Sequence, residues 1–239
     1  MATERATYTR PELLVEPDWL DQHYNDPDVV IIDCDRPEIR GDRAYLPNAL
    51  ILPIHPYFRD TETGIGVATA AQTQAILRGL GVNDDSKVIL YDSEGGLLAT
   101  RVWWALWYHG FENAAVLNGG WPAWLASRRP TSRRQREVTP GNVTISNTDE
   151  ARIASCDTIL PGLDGDTVAL DVRNDEEWMG SKPAPNASNQ QEGHIPGAIH
   201  VEWREFVDWN NATRFKTAAE LGRILETAGV PRDKRIVPY

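Results

Sequence analysis

One stretch of this chain occurs twice, and that repetition limits the possible folds more than any single motif does. Gly81-Val82-x-x-Asp85-x-Lys87-Val88-Ile89-x-Tyr91 returns as Gly229-Val230-x-x-Asp233-x-Arg235-Ile236-Val237-x-Tyr239 at a constant offset of 148 residues. Upstream, residues 33–38 match 171–176 at an offset of 138, and Leu46-Pro47-Asn48-Ala49 matches Ile195-Pro196-Gly197-Ala198 at 149. Three matches in one order mean that a single folding unit is present twice. The change of offset from 138 to 149 gives the second copy about eleven extra residues, assigned to 180–191, whose sequence GSKPAPNASNQQ is loop by composition.

The period divides the 239 residues into two domains, 1–127 and 143–239, joined by a polar linker at 128–142. Five arginines near that linker (Arg128, Arg129, Arg133, Arg134 and Arg136) read either as a basic docking strip or as a solvated connection. A formal charge of −11 repels phosphate backbones, so nucleic acid is not an expected partner. The N-terminus lacks the apolar core of a secretory signal and no apolar run reaches membrane-spanning length, which leads to the expectation of a soluble, cytoplasmic protein with no membrane partner. Two cysteines make no disulfide framework, and reduced thiols are expected.

Short β-branched runs at 29–33 and 87–91 and the run at 114–117 read as strands buried on both faces, and they alternate with helical patterns at 69–79 and 97–110. The second copy repeats the order with strands at 167–171 and 235–237 around a helix at 218–228. The expected class is therefore α/β, with two domains that are each a parallel sheet flanked by helices. Everything that would match 92–127 falls past Tyr239, so the second domain is expected to be incomplete. Burying a Val, Leu or Phe side chain contributes about 1.5–3 kcal/mol against a net domain stability of about 5–15 kcal/mol. Unless a separate chain supplies the missing part, the 239 residues alone are expected to be aggregation-prone.

In open parallel sheets ligands collect beyond the carboxyl ends of the strands, which here are Tyr91 and Tyr239. The first loop, Asp92-Ser93-Glu94-Gly95-Gly96, carries two carboxylates that oppose a bound anion, and its acids are expected to cap the next helix rather than to perform acid–base chemistry. Cys34, at a strand end, suits a buried small hydrophobe, and Cys156 sits at an expected helix start. Neither lies in a strand-end loop, so both are expected to be bystanders.

Thr-Arg-Val-Trp-Trp at 100–104, Val-Leu-Asn-Gly-Gly-Trp at 116–121, Asp-Val-Arg at 171–173 and Gly-His-Ile-Pro-Gly-Ala-Ile at 193–199 together resemble the tandem rhodanese-like sulfurtransferases, the thiosulfate and 3-mercaptopyruvate group. The resemblance implies a noncatalytic first domain and a second whose nucleophilic cysteine follows its fourth strand, directly after Tyr239. That thiolate would take sulfane sulfur from a small anionic donor, hold it as a persulfide and pass it to cyanide or a thiol, with no metal or organic cofactor. It implies substrate-binding positions at Arg173, Arg36, Leu97, Leu98 and Trp203. Arg173 can instead be tied to Asp171 or Glu177, and Trp203 can be ordinary core. Where the family is often aromatic in the first domain this chain has Arg36, Leu97 and Leu98, which bears on donor preference. His194 is read as part of a structural turn. Tyr45 and Asn48 replace the histidine and glycine of that turn in the first copy, which weakens a mercaptopyruvate assignment. On this reading the 239 residues alone are inactive. The alternatives are a noncatalytic anion-binding or regulatory module and a phosphatase-type use of the same loop.

Overall fold

The computed structural model describes residues 8–64, 66–163, 165–181 and 192–239, so most of the insertion assigned to 180–191 lies outside the described residues. The chain divides into two compact units. The first contains Thr9–Arg152 and Asp208–Phe215; the second contains Ile153–Val207 and Lys216–Tyr239, together with Tyr8.

In the first unit the elements run β1 (Leu14–Val15), α1 (Pro17–His23), β2 (Val29–Asp33), α2 (Pro37–Arg40), β3 (Ala49–Ile51), α3 (Ala70–Gly79), β4 (Lys87–Tyr91), α4 (Leu97–Tyr108), β5 (Ala114–Leu117) and α5 (Gly120–Ala126). The strands form one parallel sheet in the order β1-β5-β4-β2-β3, with Asp33 opposite Tyr91 and Ile31 opposite both Ala49 and Ile89. Side chains alternate across a strand, so the continuous apolar runs feed two cores. Val30, Ile32, Val88 and Leu90 pack with Leu77 of α3 and Leu98, Val102 and Leu106 of α4. Val29, Ile31, Ile89 and Tyr91 pack with Leu20 of α1 and with Trp121 and Trp124 of α5. Thr69 starts α3 with a capping box, accepting from Gln72 N while the Gln72 side chain accepts from Thr69 N, which is typically worth about 1 kcal/mol.

The boundary expected at 142/143 falls instead between Arg152 and Ile153, because residues 128–152 are hydrogen-bonded onto the first unit. Ser132 and Tyr45 exchange backbone hydrogen bonds, Gly141 N donates to Arg78 O, and Val143 N donates to Val82 O. Val143 is 1% exposed and belongs to the α3/α4 core. The arginines are largely spent in this strap. Arg129 pairs with Asp18 and Asp21 and lies over the Trp124 ring, Arg133 donates to Asp42 O, and Arg136 donates to Val29 O.

The second unit contains α6 (Cys156–Ile159), β6 (Thr167–Asp171), α7 (Asp175–Trp178), β7 (Ile199–His200), α8 (Ala218–Thr227) and β10 (Arg235–Pro238); the paired strands β8 (Val207–Asp208) and β9 (Arg214–Phe215) fall at the division, with Asp208–Phe215 in the first unit. The parallel sheet of the second unit has the order β10-β6-β7, which repeats β4-β2-β3. The capping box recurs as Thr217 with Glu220. Leu170, Val201, Val230, Phe206, Leu225 and Ala228 cluster at the positions held in the first unit by Ile32, Leu52, Val82, Phe58, Leu77 and Leu80. In the first unit α4 lies over this face. Among the described residues of the second unit no helix takes that place, and α8 has no fully buried residue where α3 buries Thr73 and Leu77.

Candidate active site

The two strand-end tyrosines occupy matching places. The Tyr91 hydroxyl donates to Asp33 Oδ2 at 2.8 Å and accepts from Leu46 N at 3.5 Å, while its carbonyl accepts from Cys34 N at 2.8 Å. The Tyr239 hydroxyl is hydrogen-bonded with Asp171 and accepts from Ile195 N at 3.1 Å, and its carbonyl accepts from Val172 N at 3.1 Å. Each partner in the second unit is the duplicate of its counterpart in the first. An arginine completes both arrangements, from a different sequence position each time. Arg43 Nη2 reaches Asp33 at 2.8 Å and Asp35 at 2.6 Å, with its guanidinium 5.8 Å from the Tyr91 ring centroid. Arg173 holds Asp171 through Nε and Nη2 at 3.0 and 2.5 Å and lies 5.3 Å from the Tyr239 ring.

The two aspartates titrate in opposite directions. Burial dominates at Asp33 and pushes its carboxyl above the ordinary carboxylate range, with Arg43 only partly offsetting it. At Asp171 burial also acts upward, but the Arg173 side chain and backbone N–H, together with Tyr239, outweigh it and hold the carboxyl low. Burial, with Asp33 beside it, pushes the Tyr91 hydroxyl well up.

Past Tyr91 the chain turns sharply enough that Asp92 folds back under the loop it opens. Its carboxylate accepts from Glu94 N and Gly96 N through Oδ1 at 3.0 and 2.9 Å, and from Leu98 N and Ala99 N through Oδ2, both at 2.8 Å. Leu98 and Ala99 stand in the first turn of α4, so Asp92 satisfies donors that a helix start leaves free. The Asp92 carbonyl accepts from Trp121 N, and Gly120 there has φ +48°, where an added Cβ would lie 2.1 Å from that oxygen. Only glycine fits this approach. Burial pushes the Asp92 carboxyl up against the pull of these N–H groups. A ring of backbone donors suited to an anion is thus filled by the chain's own side chain. Beside it, Ser93 donates through both N and Oγ to Asp35, and Arg36 Nη2 pairs with Glu94 at 3.3 Å.

The residues implicated from sequence are distributed over both units. In the first unit Arg36 and Leu97 flank the Asp92 loop, Arg36 with a buried Nε that has no hydrogen-bond partner and Leu97 half-buried. Leu98 does not line a site through its side chain, which is 1% exposed in the α3/α4 core; helical periodicity turns it inward and leaves its backbone N–H to serve Asp92. In the second unit Arg173 is tied to Asp171, not hydrogen-bonded to Glu177, and also donates to Gly193 O at 2.9 Å. Trp203 is half-buried at the start of a 3-10 turn, donates its backbone N–H to Val172 O, and has the Arg204 guanidinium 5.7 Å from its ring.

His194 stacks on Trp178 at 3.4 Å between ring centroids, and its Nδ1 lies 3.0 Å from Trp178 O. His200 lies parallel to the same indole at 4.8 Å. Sequence reading missed this stack, although an aromatic in the short helix before the proline turn was its signal. Sequence reading also missed Arg43, whose role has no positional counterpart in the second copy. Cys34 is fully buried, and burial pushes its thiol well up, whereas Cys156 is exposed at the first residue of α6. Among the described residues no group of three or more His, Cys, Asp or Glu side chains could hold a metal ion, and no helix is long and apolar enough to cross a membrane.

The model of the rhodanese-like domain matches residues 16–127 and 160–239. The chain is 29% identical over 240 residues to the sulfur carrier protein TtuD of Thermus thermophilus, covering 97% of this chain and 83% of that one. It is 28% identical over 236 residues to a putative thiosulfate sulfurtransferase, SseA, of Mycobacterium leprae, covering 97% and 78%. The crystal structure of SseA from Escherichia coli, described as a 3-mercaptopyruvate sulfotransferase with the rhodanese fold, superposes with a TM-score of 0.79 at 24% identity, over 95% of this chain and 87% of that one.

Proposed function

The chain belongs to the rhodanese-like domain family, and on that premise we propose that it serves sulfur transfer through a cysteine placed directly after Tyr239, in the cytoplasm, with a small anionic donor and a thiol or cyanide acceptor. The observation that supports this reading is the matching environment of Tyr91 and Tyr239, on which the residue after Tyr239 is taken as the counterpart of Asp92. In a ring like the one around Asp92 the aligned N–H groups stabilise the charge of a thiolate, against the burial that opposes it. Thiolate attack on the outer sulfur of thiosulfate forms a new S–S bond; the old S–S bond breaks and sulfite leaves with its electron pair. Cyanide or an acceptor thiolate then attacks the terminal sulfur of the persulfide and releases the cysteine thiolate. Arg173, beside Tyr239, supplies positive charge for an anionic donor. A mercapto acid is the other candidate donor. The segment that follows Tyr239, or a separate chain, supplies the helix that covers the apolar face of α8.

The codons after Tyr239 and thiocyanate formation from thiosulfate and cyanide test the reading together. Cysteine at the next position, with activity abolished by its replacement with serine, supports it. Aspartate or serine there favours a noncatalytic module. Residues 1–239 alone are expected to be inactive.

A further inference from the structure

The duplication also pairs two turns whose main chain is held in the same way by different side chains. After β2, Asp35 N donates to Asp33 Oδ1 at 3.0 Å and Asp35 O accepts from Arg40 Nη1 at 3.0 Å. After β6, Arg173 N donates to Asp171 Oδ1 at 3.0 Å, and Arg173 O lies 2.9 Å from His200 Nε2. A carbonyl oxygen only accepts, so Nε2 carries the proton and donates. Asp35 and Arg173 match at the offset of 138, and at that offset Trp178 takes the place of Arg40. Ile51 stands opposite Asp33 in the sheet as His200 stands opposite Asp171, so His200 takes the place of a side chain that has no donor. The two replacements compensate. Arg40 gives way to Trp178 and Ile51 to His200, and the carbonyl keeps one side-chain donor in each unit.

Trp178 also fixes the ring that replaces its predecessor. Its indole lies parallel to the His200 ring, 4.8 Å between centroids with 5° between the planes, and the His194 ring stacks on it as well. Stacked in this way and with its side chain 16% exposed, the His200 ring has little freedom to turn, which keeps Nε2 on Arg173 O. What the fixed turn carries differs between the units. In the first it carries Asp35, whose carboxylate is taken by Arg43 and Ser93. In the second it carries Arg173, whose guanidinium is held by Asp171 and by Gly193 O. We propose that His200 is a positioning residue for the sulfur donor: its hydrogen bond to the Arg173 carbonyl completes the fixing of the turn from which the guanidinium meets the anion. With the main chain of Arg173 held on both sides of its Cα, the Asp171 and Gly193 contacts have only the side-chain torsions left to set. This inference rests on the sulfur-transfer reading, which assigns Arg173 to the donor.

The test compares three forms of the protein at the full length its gene encodes: the parent, His200→Leu, which keeps bulk against Trp178 without a donor, and His200→Gln, whose amide nitrogen can stand where Nε2 stood. Thiocyanate formation gives kcat and the KM for thiosulfate. Hydrogen exchange follows two N–H groups, that of Arg173, held by Asp171 Oδ1, and that of Tyr239, which donates to Leu170 O within the sheet. In His200→Leu the KM should rise about fivefold, the scale of one neutral hydrogen bond, with kcat within about twofold of the parent. Exchange at Arg173 should quicken about fivefold and at Tyr239 stay as it was, because the opening is local. His200→Gln should reverse both effects. With an active parent, the proposal alone is overturned if His200→Leu leaves KM or Arg173 exchange unchanged, if exchange quickens equally at Tyr239, as a general loosening would make it, or if His200→Gln behaves as His200→Leu does. A parent that forms no thiocyanate overturns the sulfur-transfer reading, and this inference with it.

Discussion

Removing the Asp92 carboxylate is the most informative single perturbation of the first unit. Its two oxygens satisfy four backbone N–H groups, and it is 1% exposed. A buried N–H left without a partner costs about 1–3 kcal/mol. In Asp92→Ala the N–H groups of Glu94 and Gly96, in the half-exposed loop, can turn to water, but those of Leu98 and Ala99 sit at buried positions in α4. Two orphaned donors give a loss of about 2–6 kcal/mol. The lower half of that range is expected, because burial already makes the charged carboxylate costly and its removal relieves that cost. Asp92→Asn keeps one oxygen and should lose about half as much. Urea unfolding followed by tryptophan fluorescence reads this directly, since Trp19, Trp103, Trp104, Trp107, Trp121 and Trp124 all lie in the first unit. A loss below about 1 kcal/mol for Asp92→Ala, within the spread of ordinary surface changes, would refute the view of Asp92 as the ligand of the ring.

Arg173→Met should destabilise the second unit by about 2 kcal/mol at neutral pH, the scale of a charge-assisted hydrogen bond to a buried carboxylate. Because the folded pKa of Asp171 lies below its unfolded value, its contribution is present above about pH 4 and is lost as pH falls through the depressed folded value, so the variant should show a weaker acid limb in its stability–pH curve. Asp33 works in the opposite sense: its raised pKa gives a contribution present below about pH 4 and lost as pH rises through the folded value, so Asp33→Asn should narrow the gap between acid and neutral stability. Thiol titration with a disulfide reagent under native conditions should modify Cys156 at once and Cys34 only on unfolding. In a urea series monitored by hydrogen exchange, α8 and β6 should lose protection before α3 and β2, since the second core buries far fewer side chains.

Much of this was legible in the sequence, and the failures have physical causes. The β-branched runs at β2, β4, β6 and β10 predicted their strands closely because they are locally self-consistent and buried, and helical patterns at 69–79 and 218–228 placed the helices that Thr69 and Thr217 cap. The strap was misread as a linker because polar, proline-bearing sequence looks the same whether it is free or hydrogen-bonded to a surface. What separates the two is the set of distant partners Tyr45, Arg78 and Val82. Leu98 was placed in the candidate site by position, while its helical phase points the side chain inward. Arg43 escaped notice because it performs in the first unit what Arg173 performs in the second from another place in the chain. Repetition exposes what is copied and conceals what is replaced.

The most direct test of the sulfur-transfer account is the mass of the protein, prepared at the full length its gene encodes, after incubation with thiosulfate and removal of the reagent. The account predicts the gain of one sulfur atom, reversed by cyanide and mapped to a cysteine adjoining Tyr239. Sulfur mapped to Cys34 or Cys156, or no gain of sulfur with a cysteine present at that position, would contradict it.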